Sequence, residues 1–154
     1  MINVALYHPQ IPQNTGTLLR LASCLGFTID LIRPFGFIFD DKKLKRAGMD
    51  YISTANYRIH DSFDEFLEVC SGRRIIALES NNITTMHHDF SYKSDDILLV
   101  GSEHYGFLKE DLVRLKHMVK IPMLPQRRSI NMAIAATIVI GEAMSQLGLY
   151  PLGQ

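Results

Sequence analysis

Apolar and polar positions fall into short blocks whose period changes along the chain. "INVALYH" (2–8) is a short apolar run rich in β-formers and reads as a strand. Pro9 and Pro12 lack an N–H, so "PQIPQ" cannot continue it. Asn14 or Thr15 can cap a helix through "TLLRLASCLG", with Gly26 as its stop. "FTIDLIRP" (27–34) is a second strand, and "DDKKLKRAG" (40–48), acids first and bases last, suits a short helix's dipole. "YRIHD" (57–61) is a weak strand. "DSFDEFLEVCSG" (61–72) is an amphipathic helix with Phe63, Phe66, Leu67 and Cys70 on one face. "RRIIALES" (73–80), "DILLVGSE" (96–103) and "MVKIPM" (118–123) are strands, with a helix at "LKEDLVRL" (108–115). "NNITTMHHDFSYKSDD" (81–96) is predicted as a loop. Ile130 to Gly148 reads as one helix with almost no polar face, interrupted by Asn131, Thr137, Glu142, Ser145 and Gln146.

Strands alternating with helices predict an α/β fold with a mostly parallel sheet flanked by helices. "IIAL" and "ILLV" lack alternation, as expected of central strands covered on both faces. No repeat or linker-like stretch interrupts residues 1–154, which fit one domain. Ligands of such sheets bind beyond the carboxyl ends of the strands. "YHPQIPQNTG", "LESNN", "GSEHYG" and "IPMLPQRRS" are therefore the informative segments, all rich in Gly, Pro or polar residues.

Composition narrows the picture. Sixteen basic and sixteen acidic residues balance, against a general nucleic-acid coat but not against a local basic patch. Cys24 and Cys70 have no CxxC spacing and read as buried thiols in a reducing cytosol. The start lacks a signal-peptide pattern, and no apolar run is long enough to span a membrane, so a cytoplasmic protein with no membrane contact is expected. The segment after the first strand has one glycine instead of GxGxxG, and no GxxxxGK[ST] loop exists, against dinucleotide and phosphate-loop functions.

Several segments carry candidate chemistry. "GSEHYG" (101–106) allows tight turns and close backbone approach to a ligand, or is a plain turn. His87 and His88 of "HHD" point in opposite directions on extended chain, and no ligand spacing suits a metal, so none is expected. "KKLKR" (42–46), with Lys42, Lys43, Lys45 and Arg46, is a solvated face or a phosphate-contacting patch. Arg127 and Arg128 precede a helix start, against the dipole, and ask for an anion: RNA phosphate or a neighbouring carboxylate. Arg20 reaches solvent or faces the mouth of the site.

Together, "YHPQIPQNTGTLLRLASCLGF", "PFGFIFDDKKLKRAGMDY", "LLVGSEHYGF" and "IPMLPQRRSINMAIAATIVIGEA" resemble the knotted SPOUT class of RNA 2′-O-ribose methyltransferases. The chain is most similar to the small one-domain group that methylates the tRNA wobble nucleotide, cytidine or uridine 34. The second segment matches the "PMGFxxDDKRLRRAGLDY" common there, and the resemblance covers nearly the whole chain.

The resemblance implies a deep trefoil knot in the C-terminal part. It implies S-adenosylmethionine as methyl donor, leaving as S-adenosylhomocysteine, held by Leu78, Glu79, Ser80, Gly101, Ser102, Glu103, Gly106, Ile121, Met123, Ser129, Ile130 and Ala133. It ties proton removal to Arg20. A guanidinium stays protonated, so holding a phosphate or a developing alkoxide is the more physical role. Asn14, Glu103, Arg128, Ser129 and Asn131 are further expected site groups, and Lys42, Lys43, Lys45, Arg46, Arg127 and Arg128 are expected to meet RNA. The implied partners are a tRNA anticodon stem-loop and a second copy of the chain. That copy would pack against the apolar last helix, where Ala133, Ala135, Ala136, Gly141 and Ala143 would allow close approach.

Three departures stand out. "GSEHYG" replaces GPETRG, so Ser102, His104 and Tyr105 stand for Pro, Thr and Arg; His104 is either a proton acceptor or a tolerated loop residue. "RSINMA" replaces RSLNLS, leaving Ala133 without a hydroxyl. Gly141 stands where relatives carry the tyrosine of "VYEA". A ribose methyltransferase acting elsewhere on tRNA or rRNA, a non-catalytic RNA-binding protein of the same fold, and a flavodoxin-like enzyme are the alternatives.

Overall fold

The computed structural model describes residues 2–40, 50–81 and 83–152. In chain order these form β1 (Asn3–Tyr7), α1 (Pro12–Leu25), β2 (Thr28–Ile32), a 3₁₀ turn (Asp50–Ser53), β3 (Asn56–His60) and α2 (Phe63–Val69). There follow β4 (Ile75–Leu78), β5 (Ile97–Val100), α3 (Lys109–Leu112), β6 (His117–Val119) and α4 (Met132–Leu147). The helix expected over 40–48, with Lys42, Lys43, Lys45 and Arg46, falls outside the described residues.

The strands make one sheet in the order β3-β2-β1-β5-β4-β6, with every pairing parallel. Alternation along each strand builds two cores. Val4 and Leu6 of β1, Ile29 and Leu31 of β2, and Leu98 and Val100 of β5 face α1 and α4. Ala5, Tyr7, Ile32, Ala77, Ile97 and Leu99 point to the other face, against Phe63 and Phe66 of α2. β1 and β5 are buried along their whole length, as continuous apolar runs between two helical layers should be.

Asp30 breaks the apolar pattern from the centre of β2, and it is fully buried. Its carboxylate accepts from Arg58 Nε (2.8 Å) and Nη2 (3.0 Å), Asn3 Nδ2 (3.1 Å) and His60 Nε2 (2.8 Å). Burial alone would push this carboxyl up. The bonds from Arg58, His60 and Asn3 outweigh burial and hold it below the usual carboxylate range.

Several elements differ from their sequence reading. α1 starts at Pro12, before Asn14 and Thr15, and neither caps it. Proline at the first turn has no N–H to lose and a φ already suited to a helix. Gly26 ends α1 in the left-handed region (φ 80°), as expected. α4 begins at Met132, because the Asn131 side chain accepts from the N–H groups of Ala133 (2.9 Å) and Ile134 (3.2 Å).

The 81–96 stretch is not a plain loop. Met86 bridges Lys120 in parallel just beyond β6, and His87 N–H donates to Lys120 O at 2.8 Å. Tyr92 is buried in the core beneath it. Cys70 is buried, but Cys24 is exposed, because it lies on the outer side of α1.

α4 divides its faces unequally. Ala133, Ala136 and Ala143 pack into the chain's own core, so they do not offer a surface to a second copy. The outward face carries Ile134, 53% exposed, and Ile138, 38% exposed. Gly141 follows on that face, and the Tyr150 hydroxyl donates to its carbonyl at 3.2 Å. That hydroxyl lies 3.3 Å from where a side chain at Gly141 would begin. No helix among the described residues is long and apolar enough to cross a membrane.

Candidate active site

The loop after β5 is a tight turn at the sheet's carboxyl edge. Ser102 and Gly106 exchange both backbone hydrogen bonds at 2.8 Å, and Gly106 has φ 67°. A Cβ on Gly101 would sit 3.0 Å from the Gly106 backbone, a tight approach, and the left-handed φ of Gly106 favours glycine there.

Glu103, at the start of the turn, reaches across to the segment after β1. It accepts from Gln10 N–H (2.7 Å), Ile11 N–H (3.1 Å) and Asn14 Nδ2 (3.1 Å). These bonds occupy backbone donors that α1, lacking a side-chain cap, leaves unmet. A carboxylate can only accept here, so the Asn14 amide must turn its NH₂ to Glu103 and its carbonyl away. That carbonyl accepts from Asn131 Nδ2 at 3.1 Å, and the Asn131 carbonyl caps α4. One polar chain thus ties together the segments after β1 and β5 and the start of α4.

These segments enclose a cleft of about 580 Å³. Leu78, Val100, Ile121, Ile130 and Met132 give it apolar walls; Asn14, Glu103, Ser129 and Asn131 give polar edges. Glu79 turns its carboxylate onto its own loop, accepting from the N–H groups of Ser80 (2.7 Å) and Asn81 (3.0 Å). The Ser102 hydroxyl is buried and has no hydrogen-bond partner among the described residues. A buried hydroxyl left unpaired is costly, and at a cleft wall it is suited to a ligand. Among the described residues, no group of three or more His, Cys, Asp or Glu is placed to hold a metal.

Most of the expected residues converge here. Leu78, Glu79, Ser80, Gly101, Ser102, Glu103, Gly106, Ile121, Met123, Ser129 and Ile130 line the cleft, as do Asn14 and Asn131. Ala133 does not: it is buried in the core one residue past the helix start, where its N–H donates to Asn131 and its carbonyl accepts from the Thr137 hydroxyl. Arg20 lies outside the cleft, exposed on α1, with its guanidinium 4.8 Å above the Tyr51 ring. Arg127 and Arg128 are exposed on the segment leading to α4 and do not line it either. The sequence reading missed Ile11, Asn81, Val100 and Ala135 as lining residues. Ala135 lies one helical turn from Asn131, a spacing that could have pointed to it.

Gly101→Ala presses a methyl against the Gly106 backbone, which must shift by a few tenths of an ångström. The expected outcome is a loss of cofactor affinity of tenfold or more, about 1.4 kcal/mol, by calorimetry, with an unchanged circular-dichroism spectrum.

A model of the SpoU rRNA Methylase family matches residues 1–141. The chain belongs to that family. Among SpoU relatives, a tRNA (cytidine(34)-2′-O)-methyltransferase of Beijerinckia indica subsp. indica is 42% identical over 147 residues, 94% of this chain and 91% of the relative. A solved structure reported as "Structural insights into the 2-OH methylation of C/U34 on tRNA" is 41% identical, with TM-score 0.88, covering 96% of this chain and 97% of that one. The AdoMet-bound rRNA methyltransferase from Sinorhizobium meliloti is 26% identical, with TM-score 0.81, over 95% of this SpoU chain and 56% of its own. A SpoU identity fits the parallel α/β sheet and a site at its carboxyl edge, and it leaves no room for a flavodoxin-like enzyme.

Proposed function

We propose that the protein transfers a methyl group from S-adenosylmethionine to the ribose 2′-oxygen of the tRNA wobble nucleotide, position 34. The observation that carries this is the near-full-length identity to a tRNA (cytidine(34)-2′-O)-methyltransferase. The cleft supports it, with the unpaired Ser102 hydroxyl, the apolar walls and the close backbone approach of Gly101 to Gly106 all suited to a nucleoside-sized ligand. Leu78, Gly101, Ser102, Gly106, Ile121 and Ile130 would hold the donor. When bound, it supplies a methyl group already activated on a sulfonium.

The chain's own task is to align the ribose hydroxyl and to manage charge and proton. Both Glu103 oxygens are engaged by three donors, so Glu103 is a brace between the loops instead of a free base. Asn14 and Asn131, locked to each other, set the floor on which the ribose is placed. Arg20, exposed on α1, and Arg128, exposed next to the lining residue Ser129, are suited to phosphates flanking the target nucleotide. Arg127 and the basic residues Lys42, Lys43, Lys45 and Arg46 would add further phosphate contacts.

The chain works in the cytoplasm as one domain, its C-terminal part threaded as a trefoil knot, in a homodimer. The exposed Ile134 and Ile138 of α4 support a second copy as the cover of that face. The altered "GSEHYG" loop, the one ground for a non-catalytic protein, keeps both glycines and the Glu103 brace.

An anticodon stem-loop lacking the 2′-hydroxyl at position 34 tests the reading. It should bind but accept no label from methyl-labelled S-adenosylmethionine, whereas the ribose form accepts it. Equal labelling of both would refute the assignment.

A further inference from the structure

His8 follows β1 with φ 48°, a left-handed backbone uncommon outside glycine, although histidine is among the residues that adopt it more readily. Such strain persists only where the surroundings hold it, and it collects at functional sites. Here the surroundings are specific. The ring stacks on Tyr7 with centroids 3.8 Å apart, and Nδ1 lies 2.8 Å from the Tyr105 hydroxyl. Tyr105, 45% exposed, lines the cleft from the "GSEHYG" loop, while His8 is 7% exposed behind it. His104 is exposed on that loop, so the histidine that meets Tyr105 is His8, ninety-seven residues away in sequence.

His8 also borders a second cleft, of about 430 Å³, which Tyr105 does not line. The charges facing it there are Asp61, Asp64, Glu110 and Asp111, with Arg33 and Arg114 opposing them. Tyr7, beneath the ring, donates its hydroxyl to Asp111. Burial depresses the imidazole below its ordinary value, and Asp111 only partly offsets this. A neutral ring is a proton acceptor at neutral pH.

We propose that Tyr105 and His8 are the proton-accepting pair of the reaction, Tyr105 touching the ribose hydroxyl and His8 acting through it as a positioning and accepting partner. The inference rests on the ribose methyltransferase reading of the cleft. The ribose 2′-oxygen forms a bond to the methyl carbon while the carbon–sulfur bond breaks and its electron pair stays on sulfur. The 2′-proton passes to the Tyr105 oxygen, and the Tyr105 proton passes to His8 Nδ1. The imidazolium then returns a proton to water through the second cleft. Tyr105 thereby does what an arginine at that loop position could not, since guanidinium does not accept a proton.

The test measures methyl transfer to unmodified tRNA against pH, cofactor affinity by calorimetry, and the His8 titration by NMR. Tyr105→Phe removes one oxygen from an exposed ring, so it leaves the fold intact. The expected result is a fall in kcat of about a hundredfold for Tyr105→Phe and for His8→Ala, with cofactor affinity within about twofold of wild type. The wild-type profile should lose rate on the acid side as His8 protonates, and His8→Gln should lack that limb. NMR should show the ring neutral at neutral pH. Wild-type kcat in Tyr105→Phe, an acid limb that persists in His8→Gln, or a ring charged at neutral pH would each overturn the pair while the methyltransferase reading stands. A wild-type protein that binds the cofactor but methylates no RNA would overturn both.

Discussion

Arg20→Ala is expected to lower kcat by two to three orders of magnitude while leaving the affinity for S-adenosylmethionine unchanged. The guanidinium stands outside the cofactor cleft, exposed on α1 and stacked over Tyr51 at 4.8 Å. It therefore has no contact through which its loss could loosen the cofactor. A charge-assisted contact aimed at phosphate or at developing alkoxide is worth about 2.7–4 kcal/mol in a preorganised site, about 10²–10³ in rate. Arg20→Lys keeps the charge but loses the planar fork and the stacking, so it should recover only part of the rate. Single-turnover kinetics with calorimetry on the same preparations checks this. A weakened cofactor affinity with unchanged kcat would contradict the assignment.

Asp30→Ala should be the most damaging single change to stability. It removes the acceptor shared by Arg58, His60 and Asn3. The Arg58 side chain, 45% exposed, can turn to water; the His60 side chain, 4% exposed, cannot. Removing one partner of a buried ion pair costs about 3–5 kcal/mol. For a chain of this size that lowers Tm by about 10 °C, read by calorimetry. The same group sets an acid limit. Its carboxyl is held below the unfolded value of about 3.9, so its contribution is complete above that pH and is lost as pH falls through the folded value. Wild type should therefore lose Tm between pH 4 and lower values (roughly the range set by that unfolded pKa) faster than Asp30→Asn does. Parallel curves for the two proteins would contradict this.

Local pattern revealed the parts of the fold that local forces decide. Continuous apolar runs marked β4 and β5 as central strands, and Gly26 and Gly148 marked the ends of α1 and α4. Where a distant contact decides, pattern failed. Asn14 has the chemistry of a helix cap, yet its side chain bridges Glu103 and Asn131. Glu103 looked catalytic by resemblance and is engaged as a brace, through bonds that cross about ninety residues of sequence. Met86 pairs with Lys120 inside a stretch with no strand periodicity, because the partner's edge supplies the order. The cleft was legible because its lining comes from strand ends, a position the topology predicts. The His8–Tyr105 contact was not, since nothing local links a residue after β1 to the tip of the β5 loop.

Transfer from methyl-labelled S-adenosylmethionine to tRNA lacking wobble ribose methylation decides whether the protein methylates position 34. Digestion and mass spectrometry then locate the label. Label is expected on the 2′-oxygen of the anticodon's first nucleotide. Label on a base, or on the ribose of another nucleotide, would contradict it.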